Sequence, residues 1–179
     1  MTVVIFGPGP LGCLLALVAA QRKARVLVVG KSGWRLERVR AAGFAECVEA
    51  REGEVIEELR ARAGGDGIHV AVDAAGQPEV WELAIDAVGR GGTVVLFGGC
   101  APGTRVRLDT RRAHYEELTL VGAFHHTPEL IRRAVDLLAT SALNPDPLVT
   151  HRMGLADVPR ALGLMADGQA LKVAIDPSV

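Results

Sequence analysis

The most constraining feature of this sequence is a glycine-rich hexapeptide near its start, Gly7-Pro8-Gly9-Pro10-Leu11-Gly12. Residues 2–6, directly before it, are apolar and largely β-branched, which predicts a buried strand. Residues 11–22, directly after it, predict a helix. The spacing GxGxxG is a weak signal alone. Between a strand and a helix, however, it is typical of a turn that binds the pyrophosphate of a dinucleotide.

Each residue of this glycine-rich turn has a predicted role. Gly7 permits the tight turn, Gly9 lets the backbone approach a pyrophosphate, and Gly12 lets the helix pack closely on the strand. Pro10 removes one backbone donor, but its fixed φ suits the first helical turn. Leu11 lies in that first turn, whose free N–H groups would bind phosphate at the positive end of the helix dipole. The alternative is that the glycines only form a tight turn.

The rest of the chain alternates short apolar strands with amphipathic helices, which predicts an α/β fold with a doubly wound six-stranded parallel sheet. The expected strand order is 3-2-1-4-5-6, the Rossmann order, with right-handed crossovers. A rigid break at Asn144-Pro145-Asp146-Pro147 divides a dinucleotide-binding domain, 1–143, from a short C-terminal appendage, 144–179. The predicted strands of the sheet are 2–6, 25–29, 46–48, 69–74, 93–97 and 118–121, and the predicted helices are 11–22, 34–42, 52–63, 78–88 and 128–141. In the appendage we predict a strand at 148–149, a helix at 155–166 and a strand at 172–175.

The end of the second predicted strand bears on the choice of cofactor. NAD-binding units usually place a carboxylate there to accept hydrogen bonds from the adenosine ribose. This chain has Gly30 instead, followed by Lys31, Ser32 and Arg35. Because nearby cations would tolerate or attract a 2′-phosphate, we expect NADP to be favoured over NAD. The alternative is that Lys31 and Arg35 are solvated and the site accepts either cofactor.

Composition narrows the classes of function. The formal net charge is −1, so no broad attraction to nucleic acid or to anionic membranes is expected. No apolar run is long enough to span a bilayer. The chain has three cysteines and no CxxC pair, which argues against a disulfide framework or a cysteine zinc site and favours a cytoplasmic location. The cysteines are Cys13, Cys47 and Cys100.

Three further groups of polar residues are candidate sites. Asp73, at the end of the fourth predicted strand, is expected to hold a loop by hydrogen bonding and not to be catalytic. His125 and His126 are adjacent on an extended segment, so their side chains point to opposite faces and cannot easily share a metal. A loose basic stretch without interleaved aromatics is interpreted as a solvated loop; it contains Arg105, Arg107, Arg111 and Arg112. We therefore predict no catalytic residue and no metal ligand in this chain.

Six segments in order resemble the cofactor-binding half of the medium-chain, zinc-type alcohol dehydrogenases, a family that includes sorbitol and threonine dehydrogenases. The resemblance covers essentially the whole chain. It implies a Rossmann domain that binds a nicotinamide dinucleotide, and a homodimer formed through the edge strand at 118–122. The segments are residues 3–12, residues 35–43 with Arg35-Leu36-Glu37 and Ala41-Ala42-Gly43, Val72-Asp73-Ala74-Ala75-Gly76, Gly91-Gly92-Thr93-Val94-Val95, residues 117–122, and Leu171-Lys172-Val173.

The resemblance also implies residue roles. The loop Ala74, Ala75 and Gly76 would face the cofactor ribose and nicotinamide. The nicotinamide end would be lined, mostly by backbone groups, at Phe97, Gly98, Ala123, Phe124 and His125. Lys172 matches a basic position that reaches the cofactor phosphates, although a solvated lysine at a strand edge is an equal alternative.

One departure from the family is large. Its members carry a preceding catalytic domain with the zinc, and here Met1 abuts the first strand. We therefore expect a fragment or a natural truncation that is inactive alone, with zinc only in the missing domain. In the full enzyme, hydride would pass between an alcohol or carbonyl substrate and nicotinamide. The alternative function is non-catalytic NAD(P) binding or sensing. A methyltransferase that uses S-adenosylmethionine is disfavoured, because it usually needs an acidic residue where Gly30 lies.

Overall fold

Fifteen α-helices and β-strands make up the fold in a computed structural model that describes residues 1–31, 33–43, 45–140 and 143–178. No helix within these ranges is long and apolar enough to cross a membrane. The strands are β1 (Thr2–Phe6), β2 (Arg25–Gly30), β3 (Glu46–Glu49), β4 (Val70–Asp73), β5 (Thr93–Leu96), β6 (Thr119–Gly122), β7 (His151–Gly154) and β8 (Val173–Asp176). The helices are α1 (Pro10–Gln21), α2 (Trp34–Ala42), α3 (Val55–Ala63), α4 (Pro78–Ala87), α5 (Thr110–Tyr115), α6 (Pro128–Ala139) and α7 (Val158–Ala166).

The first six strands form one parallel sheet in the order β3-β2-β1-β4-β5-β6, which confirms the predicted fold class and strand order. Every neighbouring pair is parallel, with Ile5 opposite Val28 on one side and Val72 on the other. The carboxyl ends of all six strands therefore lie along one edge of the sheet. The order reverses at β1, so the turn after β1 lies at the point where ligands of such sheets bind.

Strands β1, β2 and β4 are nearly continuous apolar runs because both faces of this part of the sheet are covered. Side chains alternate between two cores: Val4 and Leu27 pack in the core that includes α3 and α4. Val3 and Ile5 pack in the other, with residues of α1 and α2. Full burial of a side chain of this size contributes about 1.5–3 kcal/mol. The alternation explains why register is fixed, since a slip of one residue would exchange the two faces.

The C-terminal segment, described over residues 144–178, forms a small parallel sheet of β7 and β8. The predicted strand at 148–149 was wrong, because Asp146–Leu148 is a 3₁₀ turn that Pro147 favours by fixing φ. Leu148 and Leu171 are buried in the core that contains α1 and α2. The Arg38 guanidinium of α2 donates to the Pro147 carbonyl at 2.6 Å. This segment thus packs on the larger sheet, and the boundary at 143/144 stays a prediction.

Helix α5 is not among the helices predicted from the sequence. Asp109 caps it, and its carboxylate accepts a hydrogen bond from the Arg111 N–H at 2.8 Å. The interpretation of the surrounding basic stretch as a solvated loop was wrong for Arg112, whose side chain is 15% exposed. Its guanidinium donates to the carbonyls of Ile85 and Val88 at the end of α4, at 3.0 and 2.8 Å. It therefore satisfies carbonyls that the helix leaves unpaired.

Candidate functional site

The glycine-rich turn connects β1 to α1 as the motif predicts. The Gly7 N–H donates to the Val29 carbonyl at 2.8 Å, and Gly7 has a φ of +112°, which favours glycine. A Cβ on Gly12 would overlap the carbonyl oxygen of Gly7 and lie 3.4 Å from Cγ2 of Ile5. Gly12 is therefore required for the close packing of α1 on β1. Pro10 begins the helix, where its missing N–H leaves no hydrogen bond unmade.

Gly9 differs from the other two motif glycines. Its φ is −81°, which any residue can adopt, and a Cβ placed on it would meet no atom within 4 Å. Packing within the chain therefore does not require glycine here. Gly9 is the N-cap of α1, and no side chain caps that helix end. The N–H groups of Leu11 and Gly12 lie in the first turn, which has no intrahelical acceptors. This open helix N-terminus is suited to an anionic group that comes close to the backbone.

A cleft of about 200 Å³ lies beside this turn, and its lining includes both predicted cationic residues, Lys31 and Arg35. We call it the Lys31 cleft; it is lined by Pro8, Lys31, Gly33, Trp34 and Arg35. The Arg35 guanidinium lies over the Trp34 ring, 5.4 Å from its centroid. Sequence reasoning missed Trp34, although an aromatic residue at the start of the helix after β2 was the available signal. The predicted site residue Ser32 lies outside the described residues.

Packing within the chain explains why residue 30 is a glycine. It is buried, and a Cβ on it would lie 2.5 Å from Cγ and 2.6 Å from Cδ of Pro8. A carboxylate at this position could not be accommodated unless the Pro8 ring moved. The absence of an acid at the end of β2 is thus coupled to Pro8 in the glycine-rich turn, and Gly30 itself does not line the cleft.

The remaining predicted loops lie at the same edge of the sheet, on the other side of β1. A Cβ on Gly7 would lie 3.3 Å from the backbone of Ala74, so the loop after β4 touches the glycine-rich turn. The N–H groups of Phe97 and Gly98 donate to the Asp73 carbonyl, at 3.2 and 3.1 Å. The Ala123 N–H donates to the carbonyl of Leu96 at 3.2 Å. The loops after β4, β5 and β6 are therefore neighbours.

Two predicted residues near the sixth strand are more exposed. Phe124 is 89% exposed, and its ring lies 4.1 Å from that of His125, centroid to centroid. Both follow β6 at the carboxyl edge. Lys172 is an exposed residue of the C-terminal segment, where its carbonyl accepts a hydrogen bond from the Thr150 N–H. Within the described ranges, no hydrogen bond joins Lys172 to the glycine-rich turn.

Asp73 is fully buried at the end of β4. Its Oδ1 accepts from the N–H groups of Ala75 and Gly76, at 2.9 and 3.2 Å. Its Oδ2 accepts from Trp81 Nε1 at 3.0 Å, and the same indole N–H also lies 3.0 Å from the Gly98 carbonyl. The prediction that Asp73 holds a loop by hydrogen bonding is confirmed.

Among the described residues, this site shows neither a reactive Cys13 thiol nor a cluster of metal ligands. Burial raises the pKa of the Cys13 thiol to about 11, so this thiol stays protonated and is a poor nucleophile at neutral pH. Across the described part of the chain, no group of three or more His, Cys, Asp or Glu residues lies close enough to hold a metal ion. The residues that the structure describes thus do not fit a zinc centre of ordinary composition, whereas the glycine-rich turn fits a dinucleotide.

Known proteins resemble this chain over most of its length. The family model for zinc-binding dehydrogenases matches residues 10–140. The L-threonine 3-dehydrogenase of Klebsiella pneumoniae is 26% identical over 175 residues, covering 97% of this chain and 50% of that protein. The chain spans about half the length of the curated relatives it matches.

Two solved structures also match nearly all of this chain and about half of their own length. A protein from Sinorhizobium meliloti 1021, assigned as a zinc-binding dehydrogenase and solved bound to NADP, superimposes with a TM-score of 0.87. It is 28% identical, and the match covers 98% of this chain and 52% of that one. The alcohol dehydrogenase of Thermus sp. ATN1 has a TM-score of 0.86 and is 25% identical, with 98% of this chain and 51% of that chain covered.

Proposed function

This chain belongs to the zinc-binding dehydrogenase family, and on that premise we propose that it binds NADP(H) as the cofactor-binding part of an alcohol or carbonyl oxidoreductase. The observation that carries the proposal is the open space at Gly9, where the chain's own packing would tolerate a side chain. A glycine at such a position is explained by a ligand that approaches the backbone. The NADP bound to the Sinorhizobium meliloti relative supports the same assignment.

The roles of the chain's residues follow from this placement. The N–H groups of Leu11 and Gly12 would bind the pyrophosphate at the N-terminus of α1. The Lys31 cleft would hold the adenosine half, and the loops after β4 and β5 the other half. When bound, the nicotinamide ring accepts or donates a hydride at C4. We propose no proton-transfer residue in this chain. The substrate pocket and the zinc are part of our proposal for a full-length enzyme only.

The preference for NADP over NAD rests on charge in the Lys31 cleft. Lys31 and Arg35 line the cleft together, and Pro8 excludes a carboxylate from position 30. A 2′-phosphate there would meet two cations, and none of the residues that line the cleft is acidic. Arg35 already stacks on Trp34, so its planar guanidinium is partly ordered before a ligand arrives.

A titration with both cofactors tests this proposal. We expect NADPH to bind about tenfold more tightly than NADH, a modest ratio because Lys31 is exposed and its charge is screened. The double substitution Lys31→Ala and Arg35→Ala is expected to remove the preference by weakening NADPH binding while leaving NADH binding within about twofold. Quenching of the two tryptophans measures both affinities.

A matched control removes cations outside the cleft. Arg40 and Arg51 are exposed and do not line it, so Arg40→Ala with Arg51→Ala should leave the ratio unchanged. Tighter binding of NADH than of NADPH by the unmodified chain would refute the NADP preference. Failure to bind either cofactor would refute the proposed function itself.

We also propose that two copies associate through β6. This strand is at the edge of the sheet, and all four of its residues are exposed. Helix α6 beside it in sequence has no buried residue, and Leu130, Ile131 and Val135 are each about half exposed. An unpaired edge and an uncovered apolar helix face favour association with a second copy.

Edge pairing makes a specific prediction. The N–H groups of Thr119 and Ala123 point toward β5, so the alternate N–H of Leu120 points outward. We expect the chain to be a dimer at micromolar concentration and Leu120→Pro, which lacks that N–H, to be monomeric. Leu120→Thr keeps the N–H and should remain dimeric. Light scattering distinguishes the two states, and a monomeric unmodified chain would refute this interface.

A cytoplasmic location is proposed on the cysteines alone. Cys13, Cys47 and Cys100 are free thiols, which supports a reducing compartment.

A further inference from the structure

A buried hydrogen-bonded group lies between two of the loops at the carboxyl edge of the sheet. We call it the Asp73 cluster; it consists of Asp73, Gly76, Trp81 and Gly98. The Asp73 carboxylate binds the N–H of Gly76 and the indole N–H of Trp81, which in turn reaches the carbonyl of Gly98. The cluster thus connects the loop after β4, helix α4 and the loop after β5.

The contacts inside the cluster leave no room for a side chain at Gly98 or Gly76. A Cβ on Gly98 would overlap the Gly76 N–H and lie 2.5 Å from Asp73 Oδ2. A Cβ on Gly76 would lie 2.6 Å from the Gly99 carbonyl oxygen, and Gly76 has a φ of +68°. The two loops are therefore held at backbone contact distance. Burying a carboxylate is costly unless it is hydrogen-bonded, and the hydrogen bonds that offset this cost also hold the loop after β4 against Trp81.

The topology indicates which part of a dinucleotide this cluster would serve. The Lys31 cleft lies on the β2 side of β1, whereas β4 and β5 lie on the other side. A dinucleotide whose pyrophosphate crosses the glycine-rich turn places its two nucleosides over the two halves of the sheet. With the adenosine over β2, the nicotinamide riboside lies over β4 and β5, against the loops that the Asp73 cluster holds.

We propose that Asp73 and Trp81 are positioning residues for the nicotinamide half of the cofactor: they fix the spacing of the loops after β4 and β5 without touching the reacting ring. This inference rests on the proposed NADP(H) binding. Because the cluster lies only under the nicotinamide half, its loss should weaken the binding of whole cofactor and spare the binding of an adenosine half-ligand.

The test compares whole and half ligands in calorimetric titrations. The whole ligand is whichever of NADPH and NADH the unmodified chain binds more tightly. The half-ligand is adenosine 2′,5′-bisphosphate for NADPH, or ADP for NADH. Trp81→Phe keeps a ring but removes the indole N–H, and we expect about tenfold weaker binding of whole cofactor with the half-ligand within about twofold. The anisotropy of the bound dihydronicotinamide fluorescence should fall as well, because the ring is less constrained.

Trp34→Phe serves as the matched control, and Asp73→Asn is a second variant of the cluster. Trp34→Phe changes the other tryptophan, in the Lys31 cleft, and should affect whole and half ligands by the same factor. Asp73→Asn keeps the side-chain volume, places an N–H₂ opposite an N–H, and is expected to show the same pattern as Trp81→Phe. It also replaces Trp81→Phe if circular dichroism shows that variant to be unfolded.

Two results would overturn the inference: equal weakening of both ligands by Trp81→Phe, or no weakening of either. In both cases the unmodified chain still binds its cofactor and the proposed function stands. If the unmodified chain binds neither whole nor half ligand, the proposed function fails and this inference fails with it.

Discussion

Gly9→Ala is expected to weaken NADPH binding about 100-fold, because it should cost about two hydrogen bonds between the pyrophosphate and backbone N–H groups. The added Cβ meets no atom of the chain within 4 Å, so it would occupy open space at the N-cap of α1, where we place the pyrophosphate. A pyrophosphate that must approach Leu11 and Gly12 would meet this methyl group first. Stability should change little, since alanine at an N-cap costs at most about 1 kcal/mol relative to glycine.

The measurement pairs calorimetric titration with thermal melting. We expect the melting temperature of Gly9→Ala to fall by no more than about 3 °C. Gly65→Ala is the matched control, because its Cβ also meets no atom within 4 Å but it lies in the loop after α3. That control should preserve both affinity and stability. Unchanged NADPH affinity in Gly9→Ala would remove the principal support for a cofactor at this turn.

Gly12→Ala is expected to act on stability instead. Its Cβ would overlap the Gly7 carbonyl oxygen, a backbone atom that cannot move without displacing α1 or the turn. Overpacking of this kind costs about 3 kcal/mol, which corresponds to a fall in melting temperature of roughly 10 °C for a domain of this size. Cofactor binding should be impaired as well, because the displaced helix carries the N–H groups that face the pyrophosphate.

A glycine inside another helix supplies the comparison. Gly163 lies in α7, and a Cβ on it would meet no atom within 4 Å. Gly163→Ala should therefore stabilise the chain by about 0.5–1 kcal/mol through helix propensity. Opposite shifts in melting temperature for the two glycine-to-alanine changes would show that contact at Gly12, not helix propensity, decides the effect. A melting temperature for Gly12→Ala at or above that of the unmodified chain would contradict this packing.

The pattern of apolar residues in the sequence was sufficient to predict the sheet and its strand order. Apolar, β-branched runs alternating with helices predict the parallel order β3-β2-β1-β4-β5-β6, and the structure has it. It was insufficient at 148–149, where Pro147 favours a 3₁₀ turn over a strand. The sequence pattern also did not predict the role of Arg112. A solvated arginine and one that caps a helix have the same sequence signature, and only the structure shows the carbonyls at the end of α4 beside its guanidinium.

The glycine-rich turn shows the same division between sequence and tertiary structure. The order Gly7, Gly9, Gly12 predicts a strand, a turn and a helix, because local conformational preferences and the spacing of apolar residues are properties of the chain itself. Only the packed structure distinguishes Gly12, which contact with Gly7 requires, from Gly9, which faces open space. It alone shows that Pro8 excludes a side chain at Gly30, and that Trp81 joins Asp73 to Gly98. Those relations depend on contacts between segments far apart in sequence, whose distances are fixed when helices pack on the sheet.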